Sequence, residues 1–303
     1  MSRLKIFAVY YGRNPVPLYR SDCVEPIQAG CAVSGPREGA LRDDVGDNIS
    51  AKNRVWAELT AHYWLWKNHL PEHRELDYVG MCHYRRFLDF ARAPRNLRLK
   101  HVSFGSFAQG FAERYSEANV MPCIDAGGFD VVVPAPSRFG RNVGSCYEQY
   151  AMGGHSMRDL DALMKIVRSD YADYAPDMEA WLNGRHAYLW LQFVMRRDWA
   201  MEYLAWQFDI LQKLESVSVW PDDATYSLVR SPAFLAERFF NVWLGHKLRT
   251  EGGKLLERQC LFLVPDAELR LVPQLKRYAN FAIDAVRQFV PSGSRRGGSA
   301  PVS

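Results

Sequence analysis

The sequence predicts an α/β fold built on a mostly parallel sheet, and three observations carry that expectation. Short apolar runs at residues 4–10, 78–82, 129–134 and 260–264 are separated by stretches of helical periodicity, the alternation that builds strand–helix–strand units. The first run, LKIFAVY, is apolar nearly throughout, as expected of a strand covered on both faces. The second run ends in His83-Tyr84-Arg85-Arg86, at the carboxyl end of a strand, where open α/β sheets place their ligands.

The elements follow in chain order. After the first strand and a loop rich in Pro and Gly, residues 46–68 place Trp56, Leu59, Tyr63, Trp66 and then Leu70 at steps of three and four, the pattern of one amphipathic helix with an aromatic stripe. Asn48 or Ser50 supplies its N-cap. Strand 78–82 comes next, then a basic polar loop and the strand at 129–134. Helices are expected at 156–168, on Leu160, Leu163, Met164 and Val167, and at about 198–215, on Met201, Leu204, Phe208 and Leu211. Ser231-Pro232 opens a further helix carrying Leu235, Phe239 and Val242, and CLFLV at 260–264 is the last strand.

Composition narrows the function. A 303-residue chain with 48% hydrophobic and 13% aromatic residues buries a substantial core. Its net charge of +4, from 38 basic and 34 acidic residues, is too mild for a general nucleic-acid binder. Most of the excess lies in residues 266–303, where six Arg/Lys face three Asp/Glu, a net of +3. Six cysteines without a CxxC pair, and no signal-like start, point to reduced thiols in a cytoplasmic protein. No apolar run reaches the ~20 residues of a membrane-spanning helix.

Three cationic side chains in four positions at a strand end suit an anion, since the arginine fork matches phosphate oxygens and a protonated histidine donates as well. Surface ion pairing, for example with Asp89, is the plainer reading of the same residues. The helix opening at Asp47, Asn48, Ser50 and Asn53 offers free amides to an anion. Lys52 and Arg54 there oppose the helix dipole, which disfavours a first-turn cation by about 0.3–1 kcal/mol. Either they are tolerated at the surface or they add charge to an anion site.

Metal chemistry finds little support. The only Asp-x-Asp, Asp159-Leu160-Asp161, falls inside a predicted helix, and Pro71 interrupts the helix that would align His69 with His73. Cys82 and His83 are adjacent on a strand and point to opposite faces, so they do not form a nucleophile–base pair. No GxSxG, GxGxxG or GxxxxGK[ST] motif is present. Asp130 and Glu237 are the carboxylates that could serve as a general base. For Glu237 the competing role is a buried ion pair. His155, after two glycines, could meet an acceptor hydroxyl or cap a helix.

The blocks DNISAKNRVWAELTAHYWLWKN (47–68) and YVGMCHYRRF (78–87) resemble a family found in bacterial capsule, exopolysaccharide and O-antigen loci. That family, long a domain of unknown function, is regarded as GT-A-type glycosyltransferases with galactofuranosyltransferase members. Weaker similarity runs through PIQAG, FDVVVPAP, FVMRRD and FLAERFFNVWL, so the likeness covers about residues 4–264. The chain departs from the family's pattern at Tyr10-Tyr11-Gly12, where a histidine usually follows the tyrosine, and at Leu191-Gln192, where Asn-Met is usual.

The resemblance implies a GT-A-like domain over residues 1–264; beyond it, composition and patterning predict a basic amphipathic helical segment at 265–291 and a disordered tail at 292–303. It implies transfer of a sugar, galactofuranose in particular, from a UDP-sugar to a lipid-linked glycan, with no metal and no other cofactor. His83, Arg85 and Arg86, joined by Lys52, would hold the donor diphosphate where related folds use Asp-x-Asp and a metal. Tyr10, Tyr11, Asp47, Asn48, Ser50 and Asn53 would hold the nucleotide, and His155 and Tyr84 the acceptor or sugar. Glu237 or Asp130 would be the base. The basic C-terminal segment would either rest peripherally on the inner face of the membrane or pack as a helix on the catalytic domain, with no nucleic-acid partner. A non-catalytic module that binds a nucleotide or phosphoglycan is the alternative.

Overall fold

The computed structural model describes residues 3–12, 15–91, 97, 99–140, 143–221 and 223–269. The expected segments at 265–291 and 292–303 therefore lie, past the short helical turn Asp266–Leu269, outside the described residues.

Twelve strands are described: β1 (Leu4–Tyr11), β2 (Val24–Ala29), β3 (Leu41–Arg42), β4 (Tyr78–His83), β5 (Arg86–Leu88), β6 (Lys100–Ser103), β7 (Val131–Pro134), β8 (Ser137–Arg138), β9 (His186–Ala187), β10 (Phe193–Arg196), β11 (Leu255–Arg258) and β12 (Cys260–Val264). Ten form the central sheet in the order β11-β7-β10-β4-β1-β2-β3, with β5, β6 and β12 branching from β4. The β1–β2, β1–β4, β2–β3, β6–β12 and β7–β11 pairs are parallel, whereas β10 runs antiparallel to both β4 and β7. The sheet is thus mixed and mostly parallel, and the fold is α/β.

Both faces are covered, as the apolar runs require. Along β1, Phe7 and Val9 join one core with Trp56, Phe208, Phe240 and Trp243, while Ile6, Ala8 and Tyr10 join the other with Phe107, Phe111, Tyr115 and Ile124. Period-two alternation sends neighbours to opposite faces, and each face meets its own helices. Gly80 sits at the tightest point of β4: a Cβ there would lie 2.7 Å from Val194 Cγ2 and 2.9 Å from Ile6 Cγ1.

The long helices stand where periodicity places them, at Met157–Asp170, Arg197–Val217 and Ser231–Glu251. Residues 46–68 do not form one helix. A 3-10 turn Ser50–Lys52 and the short helix Asn53–Trp56 stop at Ala57, whose φ is +48°. The chain restarts as Leu59–Trp64 and ends in a π-helical turn, Leu65–His69. The stripe survives the break because Trp56, Leu59, Tyr63 and Leu70 are all buried. Burial, which periodicity reports, is satisfied by two helical pieces as well as by one. Pro71 also fails to separate His69 from His73, whose rings lie 4.1 Å apart across the turn that follows.

Candidate functional site

The His83-Tyr84-Arg85-Arg86 stretch is a tight hairpin. His83 pairs with Arg86 across β4 and β5, Tyr84 N–H donates to Val9 C=O (3.0 Å), and Arg85 C=O accepts from Leu263 N–H (2.8 Å). Backbone bonds on both sides fix its side chains at the carboxyl ends of β1 and β4. There they line a cavity of ≈ 360 Å³ together with Tyr11, Asn53, Ala57, Glu58, Trp190, Tyr226, Arg230, Glu237 and Arg238. That volume lies within the usual range for small-molecule sites.

The cavity carries more positive than negative charge: Arg85, Arg86, Arg230 and Arg238 against Glu58 and Glu237. Aromatic faces hold the two hairpin arginines. The Arg85 guanidinium lies 5.2 Å from the Tyr84 ring centroid and 5.5 Å from that of Phe262. Arg86 lies 5.5 Å from Trp190 and 5.2 Å from Phe262. Stacking positions a guanidinium without using its N–H groups. The Nε atoms of Arg85, Arg86 and Arg238, and Nδ1 of His83, are buried with no hydrogen-bond partner in the protein. Buried polar groups are ordinarily paired, and these four unpaired atoms all belong to side chains that line one cavity.

Burial, followed by the charges of Arg86 and Arg85, holds the His83 pKa well below the usual histidine value. The ring is therefore neutral near pH 7, and it does not supply the third positive charge expected of it. Burial likewise lowers the proton affinity of Arg86, with Glu237 the first of the groups opposing it. The Glu58 carboxyl is raised, by burial first; its own N–H opposes this, Glu237 adds to it, and Arg230 and Arg86 act against it.

Backbone strain gathers at the same place. Among the described residues the non-glycine positions with positive φ are Ala57 (+48°), Trp190 (+75°) and Leu191 (+45°). Ala57 and Trp190 line the cavity and Leu191 adjoins it. Each such residue costs on the order of 1–3 kcal/mol and tends to persist at functional sites.

Of the residues expected at a site, Tyr11, Asn53, His83, Tyr84, Arg85, Arg86 and Glu237 line this cavity. The others have different duties. Tyr10 is buried, its hydroxyl donating to Pro17 C=O and accepting from Tyr19 N–H. Asp47 accepts from Tyr63 Oη, Asn48 folds back on Gly46 C=O, and buried Ser50 donates to Asp43 (2.6 Å). Lys52 pairs with Glu215 at 2.9 Å. The cations opposing the helix dipole thus include one with an ordinary surface ion pair, and of the helix opening only Asn53 reaches the cavity. His155 packs between Tyr150 and Phe234, behind the lining.

Asp130 is not a cavity residue. It precedes β7, which runs in the same direction as β4, so it lies at the end of the strands opposite the cavity, accepting from Arg196 (3.1 Å) and from Lys254 N–H (2.8 Å). Leu191 and Gln192 are buried beneath the cavity, where Gln192 Oε1 accepts from Cys260 Sγ at 3.4 Å. Among the described residues no group of three or more His, Cys, Asp or Glu could hold a metal ion.

Glu58, Arg230, Arg238, Tyr226 and Trp190 were not foreseen as site residues. Glu58 stands in the ELT block at 58–60, but a continuous helix puts it on the polar face; only the break at Ala57 turns it inward. Arg230 and Arg238 flank the start of a helix nearly 150 residues beyond the hairpin, with no local pattern to link them.

Fold and cleft together define an α/β protein with a cationic ligand cavity at the carboxyl ends of its strands. The chain belongs to the family described as a domain of unknown function, DUF4422, whose model matches residues 5–248. Among solved structures it is similar to the apo structure of WbbM, a bifunctional glycosyltransferase, at 28% identity and a TM-score of 0.76 over 86% of this chain. It spans 45% of that protein's length. No curated protein matches the chain.

Proposed function

We propose that this protein is a glycosyltransferase that moves a sugar from a UDP-sugar to a glycan acceptor, with the donor diphosphate held by Arg85 and Arg86 rather than by a metal. The observation that carries the reading is the pair of ring-stacked guanidinium groups whose buried Nε atoms have no protein partner, at the strand ends of a fold shared with a glycosyltransferase. As the anomeric C–O bond breaks, negative charge grows on the leaving diphosphate. Preoriented donors in a cavity shielded from water stabilise that charge most where it develops.

Arg230 adds charge from the opposite wall, and neutral His83 offers its ring nitrogens as positioning contacts. Tyr11 and Asn53, which line the same cavity, are assigned to the nucleotide in this reading, and Tyr84 and Tyr226 to the sugar or acceptor. Galactofuranose as the donor sugar and a lipid-linked acceptor rest on the family resemblance of the 47–68 and 78–87 blocks.

Calorimetry of UDP binding tests the donor site. Binding in EDTA that is unchanged by added Mn²⁺, and that Arg85→Ala weakens by about 1.5 kcal/mol or more, is expected of a charge-assisted contact. No UDP binding under either condition would return the hairpin to a structural role. Among the described residues no helix is long and apolar enough to cross a membrane. Membrane contact is assigned to the basic segment after residue 264, on the cytoplasmic face, and equal flotation with anionic vesicles of the full chain and a chain ending at Val264 would remove that assignment.

A further inference from the structure

The cavity contains two carboxylates, and their surroundings differ. Glu237 is bound by Arg238, the next residue of its helix, and Arg238 is tied in turn to Gln149 Oε1 at 3.2 Å. The Glu237 carboxylate is thus already engaged by an adjacent guanidinium. Glu58 has no cationic side chain within ion-pair distance among the described residues. It follows the strained Ala57, and its backbone is held by the first turn of the Leu59–Trp64 helix, whose Ala61 and His62 N–H groups donate to Glu58 C=O at 3.1 and 3.3 Å. The chain thus holds a carboxylate in a cation-rich cavity beside a strained backbone position, its own N–H its hydrogen-bond donor, with no direct ion pair among the described residues.

We propose that Glu58 is the general base of this site, accepting the proton of the acceptor hydroxyl in a single displacement at the sugar. This rests on the glycosyltransferase reading above. The acceptor O–H bond breaks and its proton passes to a Glu58 oxygen. The freed electron pair forms the new bond to the anomeric carbon. The anomeric C–O bond to the diphosphate breaks, its electron pair leaves with the diphosphate towards Arg85 and Arg86, and the anomeric configuration inverts.

The charged and titratable groups facing Glu58 across the cavity are Tyr226, Arg230, Glu237 and Arg238 from one wall and Tyr11, His83, Tyr84, Arg85 and Arg86 from the strand ends. Enclosure by protein and the Glu237 charge raise its proton affinity, although its own N–H and the Arg230 and Arg86 charges oppose the rise. A base raised towards the working pH transfers protons more effectively.

The test follows UDP release from UDP-galactofuranose with octyl galactofuranoside as acceptor, alongside UDP calorimetry, using the full chain. Glu58→Gln is expected to keep UDP affinity within threefold and to lose at least ~100-fold in kcat, the span of general-base catalysis. Glu58→Asp should recover part of that loss. The acid limb of wild-type kcat/KM should lie above the ordinary glutamate value of ~4.3 and vanish in Glu58→Gln, while Glu237→Gln keeps it. Glu58→Gln retaining more than a tenth of the rate with its acid limb intact would overturn the assignment, as would loss of the limb in Glu237→Gln instead. Should Glu58→Gln not fold, the wild-type profile decides, and a limb at ~4.3 or below is the negative result. Wild-type protein that turns over the donor while Glu58→Gln keeps rate and acid limb overturns the base alone, whereas wild-type protein that binds UDP but releases none from the donor favours the non-catalytic module and removes the base with the transferase reading. Wild-type protein that does not bind UDP overturns the function proposed, and the base with it.

Discussion

At the scale of single residues the cavity owes its character to how its cations are held. Several arginines of this protein meet carboxylates, such as Arg3 with Asp77 and Arg249 with Asp177. Arg85 and Arg86 lie on aromatic rings instead and make no direct ion pair among the described residues. Lysine keeps the charge but not the planar fork or its stacking. Arg86→Lys is therefore expected to weaken UDP binding by at least about 1 kcal/mol, measured by calorimetry at constant salt; affinity equal to wild type would mean that only charge matters there. The residue scale also holds the clearest limit of sequence reading. His83 and its two arginines were visible as a cluster, but which of them carry charge depends on burial, and burial leaves His83 neutral.

Among the elements, the segment 46–68 decides most. Its aromatic periodicity was legible and correct about what is buried, yet silent about the break at Ala57. An alanine at φ +48° and ψ −130° occupies a conformation natural to glycine. Ala57→Gly should relieve that strain, offset in part by the entropy of the unfolded glycine, for a net gain of about 1 kcal/mol in urea unfolding. A loss of stability would mean that the alanine methyl contributes more through packing than its backbone costs. The hairpin was legible only as a strand with a basic end. That the chain reverses within two residues depends on β12, which pairs with β5 and supplies Leu263 N–H to Arg85 C=O.

For the whole molecule, stability and acidity are linked through buried histidines. His62 is lowered to about 3, and His69 and His155 to about 4, by burial above all. His83 is lowered in the same sense. In the unfolded chain each would titrate near ~6.5. Their folded values are depressed, so the unfolded state binds more protons below that pH. The stability they permit is intact above pH ~6.5 and is lost as pH falls towards 4. For fully enclosed His62 the slope approaches ~1.4 kcal/mol per pH unit, and the other three act in the same direction. The urea midpoint should therefore drop markedly between pH 7 and pH 5; an unchanged midpoint would show that these rings are hydrated in the folded protein.

What the sequence determined by itself was the local part: the α/β class, the apolar strands, the long helices and the basic strand end, each written within one short window as periodicity or composition. What only the tertiary structure decided was assembly. It put Asp130 at the end of the strands opposite the cavity and tied Lys52 to Glu215. It also brought Glu58, Arg230 and Arg238 to face a hairpin from which they are separated by tens to more than a hundred residues. Charge and hydrogen-bonding state are set by neighbours in space, and a cavity is made by chain segments whose positions no window of sequence contains.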